Sequence, residues 1–101
     1  MAEQQPTKNL FVVRVELHGG KEPDYEKLHG FMAEQGFSKE VSLSGKLYKL
    51  PTAEYIVFSS ETVDQVKNRA IQASAKTVLT ASIIANKSAD WASHGLIPVL
   101  K

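Results

Sequence analysis

The alternation of residues 10–17 constrains the fold most strongly. Every second side chain is apolar: Phe11, Val13, Val15 and Leu17. This period of two predicts a strand over residues 9–18 that buries one face. The opposite face carries Val12, Arg14, Glu16 and His18. A strand of this kind needs a cover on one side only, so we expect helices to pack on one face of a sheet.

Further elements follow in a regular order. A helix is predicted over residues 23–35, a strand over 41–50 that bends or bulges at Gly45, a strand over 53–58, a helix over 61–75 with Ser60 as N-cap, and a strand over 77–85. This order is typical of the α+β, ferredoxin-like βαββαβ fold. Its antiparallel four-stranded sheet carries both helices on one face.

The length of 101 residues indicates one domain with a single core. Residues 1–8 are polar and are interpreted as a flexible leader. The ferredoxin-like domain is predicted over residues 9–86. Residues 87–101 are then a C-terminal tail, in which residues 97–100 could add a short strand.

The composition excludes several classes of function. Lys and Arg number 12 against 11 Asp and Glu, so binding to a nucleic acid would need a local patch of charge. The absence of cysteine excludes disulfides, zinc-thiolate sites and thiol catalysis. No run approaches the roughly 20 apolar residues of a membrane span. We therefore expect a soluble cytoplasmic protein without a membrane partner.

Three chemically able side chains share the uncovered face of the first strand. Arg14, Glu16 and His18 precede a glycine pair, where a ligand could approach closely. In one interpretation they are only the polar side of an amphipathic strand. In the other, Glu16 or His18 is a general base acting on a ribose 2′-hydroxyl or on water, and Arg14 stabilises phosphate charge.

Glu16 is also a candidate ligand for a metal ion. Glu16 could hold Mg²⁺, but one carboxylate makes a poor site unless a second subunit supplies another.

Tyr48 and Lys49 are further candidates for binding RNA. An aromatic ring beside a lysine could stack on a base and contact a phosphate. The two residues could equally form part of a cross-strand pair with no ligand. His29 is interpreted as a packing residue of the first helix. No signature of a small-molecule pocket is visible.

Three segments, VRVELHG, PDYEKLHGFMAEQGFS and LYKLPTAEY, taken in order, resemble the GhoS-like family. These small bacterial and prophage proteins are grouped with the antitoxin endoribonuclease of type V toxin-antitoxin systems. They are similar to the small CRISPR-associated ferredoxin-fold nucleases. The resemblance covers residues 10–76. It implies a ferredoxin-like homodimer that cleaves single-stranded mRNA encoding a toxin, with some preference for sequence.

The resemblance also bears on Glu16. In the CRISPR-associated relatives an acidic residue at the end of the first strand holds a metal or serves the reaction. Glu16 stands here in place of the usual Asp.

Two functions are therefore expected. The first is an antitoxin-like RNA-binding protein with endoribonuclease activity. The alternative is a non-enzymatic module of a phage or mobile element that binds a host protein through the same face or through the tail around Trp91. The near-neutral charge favours the alternative, because RNA binding normally concentrates Lys and Arg on one surface.

Overall fold

The structure, a computed structural model, describes residues 8–88 and 93–99 and has the predicted α+β class. Its elements are β1 (Asn9–Leu17), α1 (Glu22–Glu34), β2 (Glu40–Leu43), β3 (Lys46–Lys49), β4 (Glu54–Ser59), α2 (Val63–Ser74), β5 (Ala81–Ser88) and β6 (Ile97–Pro98). Most of the predicted leader and the residue Trp91 lie outside the described residues. Within the described residues, neither helix is long and apolar enough to span a membrane.

The first sheet has β1 at its centre, antiparallel to β4 on one side and to β5 on the other. The predicted apolar face of β1 is buried beneath the helices, which confirms the interpretation of the alternation. Its main partners in the core are Leu28, Met32, Val66, Ala70 and Tyr55. The other face of β1 therefore points away from the helices.

The predicted four-stranded sheet is replaced by two three-stranded sheets, because residues 40–49 form a hairpin. Ser44 and Gly45 both have positive φ, 50° and 81°, which is the conformation of a two-residue hairpin turn. The prediction of one strand bent at Gly45 is therefore wrong. The hairpin strands β2 and β3 form the second sheet with β6, which lies within the short strand expected at residues 97–100.

A single bridge marks the place where a fourth strand would lie on the first sheet. Ser38 and Ile56 exchange two backbone hydrogen bonds of 2.8 and 3.0 Å. The chain then leaves the edge of β4 and enters the hairpin.

The second sheet covers part of the face of the first sheet that the helices leave free. Val41 and Leu50 pack with Ile56 of β4 in a second apolar cluster, and Leu10 and Val12 of β1 are packed against it. The part of this face around the end of β1, here called the open half, consists of Arg14, Glu16, His18, Glu54, Ser82 and Ile84.

Two boundaries differ from the prediction for reasons visible in the hydrogen bonds. Thr62, not Ser60, is the N-cap of α2, because its hydroxyl accepts from the Gln65 N–H at 3.1 Å and its own N–H donates to the Gln65 side chain at 2.9 Å. The strand expected from Thr77 begins at Ala81 instead. The Thr77 hydroxyl donates to the carbonyl of Ser74 at 2.7 Å and so holds that segment in the turn after α2.

Candidate functional site

The structure brings Arg14, Glu16 and His18 together on the open half, all three exposed. Alternation along β1 directs their side chains away from the helices. In the register of the sheet, Arg14 lies between Glu54 of β4 and Ile84 of β5.

Packing within the chain accounts for Gly20, the second residue of the glycine pair after β1. A Cβ added to Gly20 would lie 2.7 Å from the Cβ of Leu17, which is closer than such atoms pack. Glycine at position 20 is therefore explained by packing within the chain and needs no ligand.

His18 is held at both ring nitrogens by hydroxyl groups. Its Nδ1 lies 2.7 Å from the Thr80 hydroxyl and its Nε2 lies 2.7 Å from the Ser82 hydroxyl. Since a hydroxyl can either donate or accept, the imidazole keeps both hydrogen bonds when it gains or loses a proton. The two contacts hold the ring in one place, and a nitrogen released by its hydroxyl partner could exchange a proton with a ligand.

Arg14 lies between two carboxylates but is weakly bound to them. Its guanidinium donates to Glu16 at 3.3 Å and to Glu54 at 3.4 Å. Both contacts are longer than the roughly 2.7–2.9 Å of a strong charge-assisted hydrogen bond, and such exposed pairs contribute little to stability. The guanidinium is therefore able to turn toward a phosphate.

The described residues do not build a metal centre on the open half. No group of three or more His, Asp or Glu side chains suited to a metal occurs among residues 8–88 and 93–99. Glu16 would be one carboxylate ligand, and the Mg²⁺ predicted there would need further ligands from RNA or from a second subunit.

Tyr48 and Lys49 lie on the second sheet, apart from the other predicted site residues. The Tyr48 ring packs against the second apolar cluster, and Lys49 is exposed opposite Glu40. Among the described residues, no hydrogen bond or ion pair joins either of them to Arg14, Glu16 or His18. The predicted site is therefore divided between two sheets.

Two apolar side chains on the same face as the open half were missed by the sequence analysis. Phe58 is 63% exposed and Ile84 is 60% exposed. The alternation of β4 and β5 was the signal that could have placed them, because positions 54, 56 and 58 share one face, as do 82 and 84.

A second group of titratable side chains lies on the helix side of the first sheet. The Tyr55 hydroxyl is 2.6 Å from Nδ1 of His29, and the two rings meet edge to face at 5.6 Å. The ammonium of Lys39 lies 4.8 Å from the centre of the Tyr55 ring. It donates to the carbonyls of Pro51, of Thr52 at 3.1 Å and of Glu54 at 2.8 Å.

Burial perturbs all three groups. It raises the pKa of the fully buried Tyr55, and burial together with the charge of Lys39 lowers the pKa of His29. Burial also lowers the pKa of Lys39 to about 8, against the opposing effect of the Glu54 carboxylate. His29 is a packing residue as predicted, but it also forms the hydrogen bond to Tyr55, which no local sequence pattern predicts.

No protein-family model, curated protein or solved structure matches the chain. The resemblance to the GhoS-like family therefore stays a prediction.

Proposed function

We propose that the protein is an antitoxin-like RNA-binding protein that cleaves single-stranded RNA on the open half. The observation that carries the proposal is the position of His18. Its imidazole is exposed, held at both nitrogens by Thr80 and Ser82, and placed two residues from Glu16 and four from Arg14 on one face of a strand.

The proposed reaction uses the 2′-hydroxyl of the RNA. In this proposal the RNA hydroxyl displaces the Ser82 hydroxyl from Nε2 of His18, which takes the proton of the RNA hydroxyl. The 2′-oxygen attacks the phosphorus, and the 5′-oxygen leaves with a proton from solvent. The products are a 2′,3′-cyclic phosphate and a free 5′-hydroxyl. Arg14 keeps its contact with Glu16 and turns from Glu54 to stabilise the charge on the phosphate oxygens.

The remaining predicted residues position Arg14, hold a metal ion or bind the RNA strand in this proposal. Glu16 orients Arg14 through their ion pair, or holds Mg²⁺ with ligands from outside the chain. Lys49, which is exposed on the second sheet, contacts the RNA backbone away from the cut, and Tyr48 can stack only with the part of its ring that the second cluster leaves free.

The connectivity of the first sheet supports a ferredoxin-like origin. The antiparallel order from one edge to the other is the Ser38 bridge, β4, β1 and β5. This is the order of the four-stranded fold, with its second strand shortened to a bridge and the hairpin added after it. This strand order supports the resemblance to the GhoS-like family, whereas the function is argued from the site.

The test compares cleavage of a mixed single-stranded RNA pool by the wild type, His18→Ala and Glu16→Ala, each with magnesium and with chelator. His94→Ala is the matched control, because it removes another exposed imidazole outside the open half. We expect His18→Ala to lower the cleavage rate by about a hundredfold, as loss of a general base does, with unchanged thermal stability. No cleavage by the wild type under either condition refutes the proposal.

Glu16→Ala separates the two roles of that residue. If Glu16 holds magnesium, the variant loses only the activity that chelator also removes from the wild type. If it orients Arg14, activity falls by a similar factor with magnesium and with chelator.

A second candidate function is supported by the exposed apolar side chains. Phe58 and Ile84 could contact a host protein or a second copy of the chain, because apolar groups on a nearly neutral surface suit a protein partner better than a phosphate backbone. Sedimentation of the wild type beside Ile84→Ser tests the homodimer. A dimer that Ile84→Ser converts to monomer would place the subunit contact on the open half.

A further inference from the structure

A cavity of about 580 Å³ lies between α1 and the two segments that connect the first sheet to the second. Its wall includes His29 and Glu26 of α1, Phe37 before the hairpin, and Leu50 after it. A neighbouring cavity of about 440 Å³ shares Glu26, His29 and Thr52, so the two form one groove that continues toward Gly20. The volume of each cavity falls within the range of small-ligand sites.

His29 presents a hydrogen-bond donor to this groove. The buried Tyr55 hydroxyl has His29 Nδ1 as its hydrogen-bond partner among the described residues, so it donates to that nitrogen. The lowered pKa keeps the imidazole neutral, and its proton therefore resides on Nε2. The Tyr55 contact thus fixes which tautomer the groove meets.

The charges around the groove favour a ligand without net charge. Lys39 directs its three protons to three backbone carbonyls and has none left for an anion. Glu26 and Glu40 would repel an anion, whereas Lys49 and the ammonium of Lys39 would repel a cation. The carboxylate of Glu26 remains as an acceptor for an N–H group.

The apolar part of the wall suits a flat ring. The exposed Ala33 contributes to this wall, together with the small part of the Phe37 and Leu50 side chains that burial leaves accessible. A planar heterocycle can pack against such a wall while its polar edge reaches a donor and an acceptor.

We propose that this groove binds a nucleobase, which accepts a hydrogen bond from Nε2 of His29 and donates one to Glu26. The groove lies beyond the β4 edge of the first sheet, between α1 and the connecting segments, and shares no lining residue with the open half. The proposal therefore does not depend on RNA cleavage. A free nucleoside and an unstacked base of a bound RNA strand present the same chemistry.

The test follows backbone amide and imidazole NMR signals during titration with adenosine, guanosine, cytidine and uridine, each added to the full chain. Ribose and inorganic phosphate are the controls for the sugar and for charge. A single-stranded oligonucleotide forms the last arm and distinguishes a base within RNA from a free nucleoside.

We expect at least one nucleoside, or the oligonucleotide, to shift the signals of His29, Ser38 and Thr52. His29→Phe keeps a ring but removes the donor, so binding should weaken about tenfold, the value of one buried hydrogen bond. His94→Phe makes the same change outside the groove and should leave binding unchanged. Glu26→Leu, at an exposed position, provides a second test if His29→Phe does not fold.

Three results would overturn the proposal. The first is no shift at these residues with any nucleoside or with the oligonucleotide. The second is a shift of equal size with phosphate or ribose alone. The third is a nucleoside affinity that neither His29→Phe nor Glu26→Leu reduces. Shifts confined to the open half with the oligonucleotide would support RNA binding there while refuting the groove.

Discussion

Replacing Tyr55 by Phe removes one hydroxyl from a fully buried ring and leaves the packing of that ring unchanged. The hydroxyl donates to Nδ1 of His29 across 2.6 Å. A hydrogen bond of this kind contributes about 1 kcal/mol net, and His29 is exposed enough to recruit water at the vacated nitrogen. We therefore expect Tyr55→Phe to lower the free energy of unfolding by about 1 kcal/mol near neutral pH.

The pH dependence follows from the pKa of His29, which burial lowers from its ordinary value of 6.5. The folded protein then binds this proton more weakly than the unfolded chain. The contribution of His29 to stability is therefore complete above about pH 6.5 and declines as the pH falls from there toward the folded-state pKa. Protonated His29 would donate from Nδ1 to the Tyr55 oxygen, so the hydrogen bond would be reversed and the buried Tyr55 O–H would lose its acceptor.

Urea unfolding at about pH 8 and at about pH 5 would measure both effects. The variants are Tyr55→Phe, His29→Gln and the double variant. The cost of Tyr55→Phe should shrink at the lower pH, and His29→Gln should lose part of the decline that the wild type shows. Full stability of Tyr55→Phe at the higher pH, or an undiminished decline in His29→Gln, would refute the reasoning.

Three further variants test the fold itself. Leu28→Ala should lower the free energy of unfolding by about 3 kcal/mol, since Leu28 is fully buried in the core; a loss below about 1 kcal/mol on chemical denaturation would contradict its place there. Thr62→Ala should cost about 1 kcal/mol by removing the acceptor for the Gln65 N–H, and helicity measured by circular dichroism should fall slightly. Gly45→Ala should cost about 1 kcal/mol for its backbone alone, because φ is 81° and an added Cβ meets no atom within 4 Å. An unchanged melting temperature in Gly45→Ala would show that the hairpin turn is different.

The predictable part of the fold is the part governed by local patterns. The alternation from Phe11 to Leu17 placed β1 and assigned its two faces, because a period of two has one interpretation in an amphipathic strand. The helix α1 lies within one residue of its predicted bounds at each end. The candidates Arg14, Glu16 and His18 share one face for the same reason.

The features that sequence reasoning missed depend on competition between local signals or on distant contacts. The pair Ser44–Gly45 was interpreted as a bend or bulge within one strand, whereas both residues adopt the positive φ of a tight hairpin turn, which serine seldom does. The apolar run after Thr77 looked like strand from its start, yet Val78 is 96% exposed because the preceding helix ends in a hydrogen-bonded turn. The contact between His29 and Tyr55 joins separate elements and has no local signature.

The central position of β1 also dictates when the protein can fold during its synthesis. On β5, the partner of Leu17 is Ala81 and that of Leu10 is Ser88, so the earliest of the three strands to be synthesised completes the sheet with the latest. At about 5–20 residues per second, the roughly 70 intervening residues take several seconds to synthesise. During that time β1 lacks its partner strand β5, and the apolar face of the sheet is incomplete. The nascent chain is therefore expected to depend on chaperones more than a helical protein of equal length, whose contacts close locally.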